Sequence, residues 1–117
     1  MIVELQKMPE CKIDEHRGFV YLMENIQTGL YKIGISEQLH IRRRAIERVS
    51  GCDIRLVCAC IPTPGFSPPA FAIEKYLHNR YSRKRIKNKG EWFLLSDFNV
   101  NRIYALFNYI ADFYEEN

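Results

Sequence analysis

The sequence predicts a small α/β (α+β) domain: a mostly antiparallel, three-stranded sheet flanked by helices, in the order ββαβα, then a short strand and a C-terminal helix. Three observations lead there. Two β-branched and aromatic runs, GFVYLME and LYKIGIS, are separated by the turn-forming NIQTG, which reads as a hairpin. A third strand-like run and several segments of helical period follow them. The whole chain has 117 residues, enough for one domain and one core.

Taken in order, residues 1–16 are mixed in character and form an extension of unknown role, so the domain is placed at 17–117. Strands over 18–24 and 30–36 make the hairpin. Ser36 is the expected cap of a helix over 37–50, which Gly51 ends. A third strand covers 54–61. Pro62, Pro64, Gly65, Pro68 and Pro69 make a loop whose last prolines open a helix reaching about Tyr81. A basic loop at 87–90 precedes an extended piece at 92–95. Ser96 or Asp97 then caps a final helix to about Tyr114, with Ile103, Leu106, Phe107 and Ile110 on its core face.

Composition narrows the function classes. With 47% apolar and 26% charged residues, the chain is globular rather than disordered. No apolar run approaches the roughly 18 residues a membrane span needs. The N-terminus lacks a basic start followed by an apolar stretch, so a cytoplasmic, intracellular protein with no membrane partner is expected. Cys11, Cys52, Cys58 and Cys60 do not fit zinc spacing and are read as thiols in a reducing compartment.

The net charge of +3 says little, but its distribution says more. Arg42, Arg43, Arg44 and Arg48 fall together, as do Arg80, Arg83, Lys84, Arg85, Lys87 and Lys89. Such runs are either solvated helix faces or phosphate-binding surfaces.

Several polar residues break their local pattern. On the first helix, Leu39, Ile41, Ala45, Ile46 and Val49 fill one sector, and Arg42 lies inside it. An arginine there is either snorkelling and paired, or an anion-binding group at a cleft. On the second helix, Ala70, Ile73, Leu77 and Tyr81 make a stripe bordered by Glu74, with His78 one turn on. Each is either a paired structural group or a functional one. A hairpin turn centred between Ile26 and Gln27 puts Tyr21 directly opposite Lys32. The ammonium then either favours the phenolate or is a cross-strand neighbour of no consequence. Together these residue types suit phosphodiester hydrolysis, which needs a base, a cation for the phosphoryl oxygens and a carboxylate for a divalent metal.

The run Gly18-Phe19-Val20-Tyr21, followed by Tyr31-Lys32-Ile33-Gly34, resembles the paired motifs of the GIY-YIG endonuclease superfamily. Tyr21 stands at the tyrosine of the first motif, Lys32 at the first position of the second, and Arg42 at the arginine of the next helix. Glu74 matches the metal-binding glutamate. The phage T5 Orf172-like, or Mug113-like, branch is the most similar. It is echoed in Lys32-Ile33-Gly34, in Ala72-Ile73-Glu74-Lys75-Tyr76-Leu77-His78 and in Gly90-Glu91-Trp92-Phe93.

The resemblance implies a metal-dependent endonuclease that hydrolyses DNA phosphodiester bonds, with RNA an open alternative. In it, Tyr21 is the general base or its aligner, and Arg42 binds the scissile phosphate. Glu74 coordinates one Mg²⁺ or Mn²⁺, and His78 assists. Lys32 departs from the second family tyrosine and either binds phosphate or perturbs Tyr21. The superfamily asparagine has no residue in register, although Asn88 is nearby. Arg43 and the loop residues Arg83, Lys84, Arg85, Lys87 and Lys89 are the expected nucleic-acid contacts. Trp92 and Phe93 either stack on bases or pack in the core. The second reading is a DNA-binding module with the same fold and little or no catalysis, and the third a protein-interaction domain. A core this small needs a homodimer or another partner to read a long site.

Overall fold

The computed structural model describes residues 18–63, 68–87 and 90–114, the last five by backbone alone. The extension 1–16 with Cys11, and also Asn88 and Lys89, lie outside the described residues.

Strands β1 (Phe19–Asn25) and β2 (Tyr31–Ser36) form the expected hairpin. Its turn is anchored by Asn25, whose side-chain oxygen accepts the amides of Gln27 at 3.0 Å and Thr28 at 3.1 Å. Gly29 N–H closes onto the Asn25 carbonyl at 2.8 Å, at a backbone φ of 76°. This local asparagine turn fixes the loop length, and loop length fixes the register. The register therefore differs from the sequence expectation. Tyr21 pairs with Gly34, and Lys32 with Met23, so Tyr21 and Lys32 are diagonal rather than directly opposed. The slip is of two residues, an even number, so both side chains stay on one face of the sheet.

Helix α1 (Leu39–Ser50) starts two residues later than expected. The Ser36 hydroxyl does accept a helix-proximal amide, but it is that of Gln38 at 3.1 Å, so Ser36 ends β2 and steers the entry without capping the helix. Gly51 ends α1 in the left-handed region at φ 72°, its N–H on the Glu47 carbonyl.

Strand β3 (Ile54–Pro62) pairs with the other edge of β1, with a bulge between Leu22 and Met23. Helix α2 (Ala70–Arg80) and a short 3₁₀ turn (Ser82–Lys84) follow, then β4 (Trp92–Phe93) against β2. Helix α3 (Asp97–Ile110) opens with a reciprocal cap: Asn99 N–H donates to Ser96 Oγ at 3.1 Å, and Ser96 N–H to Asn99 Oδ1 at 3.0 Å. That makes Ser96, of the two candidates, the cap. The helix stops four residues short of Tyr114, because Ala111–Tyr114 form a strand, β5, on the outer edge of β3.

All pairings are antiparallel, in the order β4-β2-β1-β3-β5. The three predicted strands are the centre of this sheet. In β1, Phe19, Val20, Tyr21, Leu22 and Met23 are all buried irrespective of alternation, so both faces of the central strand are covered. On α2, Ala70, Ile73 and Leu77 are buried and Glu74 half-buried, as the stripe predicted. No disulfide links Cys52, Cys58 and Cys60. Among the described residues, no helix is long and apolar enough to cross a membrane.

Candidate functional site

Tyr21 forms the floor. It sits on the central strand, buried to 1% exposure, and its ring lies across the backbone of Gly34 on β2. A Cβ at position 34 would come within 2.5 Å of the Tyr21 hydroxyl oxygen and 2.7 Å of Cζ. Only a glycine leaves room for the ring there, which gives the glycine of Lys32-Ile33-Gly34 a steric role. The Tyr21 hydroxyl makes no hydrogen bond among the described residues, although it is buried. A buried hydroxyl of this kind is satisfied by an ordered water or by a ligand.

Burial pushes the Tyr21 phenol up to about 12; Arg42 opposes that shift, and Glu91 and Glu74 reinforce it. The phenol therefore shares one electrostatic neighbourhood with side chains from α1, from α2 and from the turn before β4. Of the two readings of the Tyr21–Lys32 pair, the one in which the ammonium eases ionisation is not met. Desolvation outweighs any help, and the Lys32 ammonium is committed elsewhere: Nζ lies 3.2 Å from Glu91 Oε1 and 5.7 Å from the centre of the Trp92 ring.

On α2, Glu74 and His78 are one turn apart, and both are half-buried. Burial raises the Glu74 carboxyl above its usual range; His78 opposes the shift, Glu91 adds to it, and Lys32 opposes it more weakly. Both ring nitrogens of His78 are engaged. Nε2–H donates to the Ile33 carbonyl at 2.8 Å, and Nδ1 accepts from the Arg85 guanidinium at 2.7 Å, the tautomer these partners require. Its ring also meets Phe93 edge-on, with centroids 5.1 Å apart. Ligand atoms of Glu74, His78 and Glu91 lie within 4.8 Å of one another. Two carboxylates beside an orphaned hydroxyl suit a hard divalent cation such as Mg²⁺ or Mn²⁺.

Arg42 forms a wall. Of its apolar sector on α1 only Leu39 is buried, while Ile41 is 56% and Val49 90% exposed. The sector faces an open groove of about 780 Å³, whose lining includes Lys32, Gln38, Ile41, Arg42, Ile46 and Trp92. Arg42 is exposed and has no ion pair among the described residues, so the burial cost that its position implied does not arise. Its side chain lines that groove.

Residues 18–110 match the T5orf172 domain family. The chain belongs to that family. The matched segment runs from β1 through α3, so this T5orf172 domain, of the GIY-YIG-like group, contains every site residue named above. No curated protein and no solved structure matches the chain.

The basic turn of the T5orf172 domain is divided in its use. Arg83, Lys84 and Lys87 are exposed. Arg85 is committed to His78, and its guanidinium also lies over the Phe93 ring at 5.4 Å, so it braces the site and is not spare for backbone contacts. Arg43 is half-buried on α1. Phe93 is core, whereas Trp92 is half-buried beside the groove, so the two aromatics part company. The residue that sequence reasoning gave no role is Glu91. It stands 59 positions from Lys32, and no local spacing announces their contact.

Proposed function

We propose that this domain is a metal-dependent endonuclease that hydrolyses DNA phosphodiester bonds. The observation that carries this reading is that ligand atoms of Glu74, His78 and Glu91 converge within 4.8 Å of one another, in the electrostatic neighbourhood of Arg42 and of the buried Tyr21 hydroxyl. In that neighbourhood a phosphate would find the Arg42 cation, and a divalent ion the carboxylates.

Arg42 is the group for the scissile phosphate, since its guanidinium is exposed, without an ion pair among the described residues, and held on a helix. Glu74 would hold one Mg²⁺ or Mn²⁺, which when bound supplies Lewis-acid stabilisation of the phosphoryl oxygens. Tyr21, with its phenol pushed up to about 12, keeps its proton at neutral pH. It therefore aligns an attacking water by hydrogen bonding rather than deprotonating it outright. Lys32 stands on the same face as Tyr21 and neutralises Glu91. His78 holds the α2 side of the site against β2.

The same high phenol pKa favours a second reading, a DNA-binding module with little or no catalysis. Supercoiled plasmid incubated with Mg²⁺ or Mn²⁺ separates the two. The endonuclease reading expects cutting by the wild type, loss to background in Glu74→Gln, and a drop of roughly a hundredfold or more in Arg42→Ala. No cutting with either metal, together with a gel shift weakened by Arg42→Ala, selects the binding module.

A further inference from the structure

We propose that Glu91 is a second carboxylate ligand of the cation, acting together with Glu74. Its use in cleavage rests on the endonuclease reading above; its binding of the ion does not.

The carboxylates of Glu74 and Glu91 come from different elements, one on α2 and one in the turn before β4, yet their ligand atoms converge within 4.8 Å. Two like charges so close repel each other unless something positive lies between or beside them. In the structure Lys32 lies 3.2 Å from Glu91, and His78 and Lys32 both oppose the rise of the Glu74 carboxyl without forming an ion pair with it. Glu74 has no hydrogen bond or ion pair among the described residues, although it is half-buried. A divalent ion would engage both carboxylates at once, which a single ammonium paired to Glu91 does not.

A second observation points to the same space. The Tyr21 hydroxyl is 1% exposed, lacks a hydrogen-bond partner among the described residues, and responds to both carboxylates. A buried hydroxyl without a partner is costly unless a ligand or an ordered water satisfies it. An ion's water shell beside Glu74 and Glu91 would do so.

His78 shares the cluster but has both nitrogens occupied, by the Ile33 carbonyl and by Arg85. It acts as a positioning residue, leaving an all-oxygen protein donor set of the kind Mg²⁺ and Mn²⁺ prefer over softer metals. Lys32 is then a stand-in charge. Its ammonium, 3.2 Å from Glu91 Oε1 and lining the groove, competes with an ion for that carboxylate.

The test is a Mn²⁺ titration of the full chain without DNA, with free ion followed by electron paramagnetic resonance. The wild type is expected to bind Mn²⁺ within the roughly millimolar limit of weak oxygen sites. Glu91→Gln and Glu74→Gln should each weaken binding about tenfold or more, and Glu91→Asp should retain more of it than Glu91→Gln. Lys32→Met should tighten binding, and that gain should vanish when Glu91→Gln is added. The Glu91 side chain is 47% exposed, so its variants should melt like the wild type, and thermal unfolding checks this.

Wild-type affinity in Glu91→Gln, or no Mn²⁺ binding by the wild type, overturns the inference. Parallel plasmid assays keep it distinct from the proposed activity. Mn²⁺ binding that depends on Glu91 without cleavage keeps the site and removes the nuclease. Cleavage with Mn²⁺ binding indifferent to Glu91 does the reverse.

Discussion

Tyr21 lies on the central strand with 1% of its surface exposed and its ring laid over Gly34, whereas Arg83 and Lys84 stand on a three-residue helical turn open to water. Both regions flank the same candidate site, since Arg85, next to Lys84, reaches back to His78. They differ in what holds each side chain. The floor is fixed by packing from both faces of the sheet, so its geometry is the fold's geometry. The turn is held by backbone hydrogen bonds, such as Leu94 N–H to the Lys84 carbonyl at 2.8 Å, and by Arg85, while the Arg83 and Lys84 side chains are exposed. A change on the floor should therefore register first in stability, and a change on the turn only in binding.

The strongest way to break that contrast is Gly34→Ala. The new methyl would collide with the Tyr21 ring, and overpacking of this kind costs about 1–3 kcal/mol. A lower thermal midpoint is expected, and Tyr21→Phe in the same chain should recover only part of it, because Cζ remains 2.7 Å from the added carbon. An unchanged midpoint would show that the floor yields as readily as the turn.

A smaller effect is expected at the turn itself. Arg83→Ala and Lys84→Ala should leave the melting curve in place while weakening DNA binding modestly. Each should also lower the dependence of log affinity on log salt by about one unit, as for a lost phosphate contact. Gel shifts across a salt series measure this, and an unchanged slope would assign those charges to solvent alone.

The smallest effect is confined to alkaline solution. Folding raises the Tyr21 phenol from its ordinary 10.0 to about 12, so its protonated form is favoured in the native state. That contribution is complete below pH 10 and is lost as pH climbs through about 12. Tyr21→Phe should resist alkaline unfolding better than the wild type, with no such gain at pH 7. Phenolate absorbance recorded alongside unfolding checks it, and early ionisation of Tyr21 would mean the floor is wetter than its burial indicates.

How far the sequence carried this picture depends on the range of the contact concerned. Turn residues and alternating apolar runs encode a hairpin locally, so β1 and β2 were legible, as was the stripe of Ala70, Ile73 and Leu77 with Glu74 on its border. Strand alternation kept Tyr21 and Lys32 on one face even though the pairing slipped, because the slip was even. Length of the last helix was not legible. Apolar periodicity continues past Ile110, and pairing of 111–114 with β3 overrides it. Nor was the exposure of Ile41 and Val49, since period alone tells which residues share a face but not what covers it.

By itself, the sequence determined the types of the elements from β1 to α3, the face shared by the phenol and the ammonium, and the positions of Arg42 within one apolar sector and Glu74 on the border of another. Only the tertiary structure decided that Glu91 meets Lys32 and Glu74, that Arg85 is spent on His78, and that Arg42 opens onto a groove. Neighbours a turn or a strand apart are set by backbone geometry, which local residue choice controls. Neighbours dozens of positions apart are set by how the elements pack.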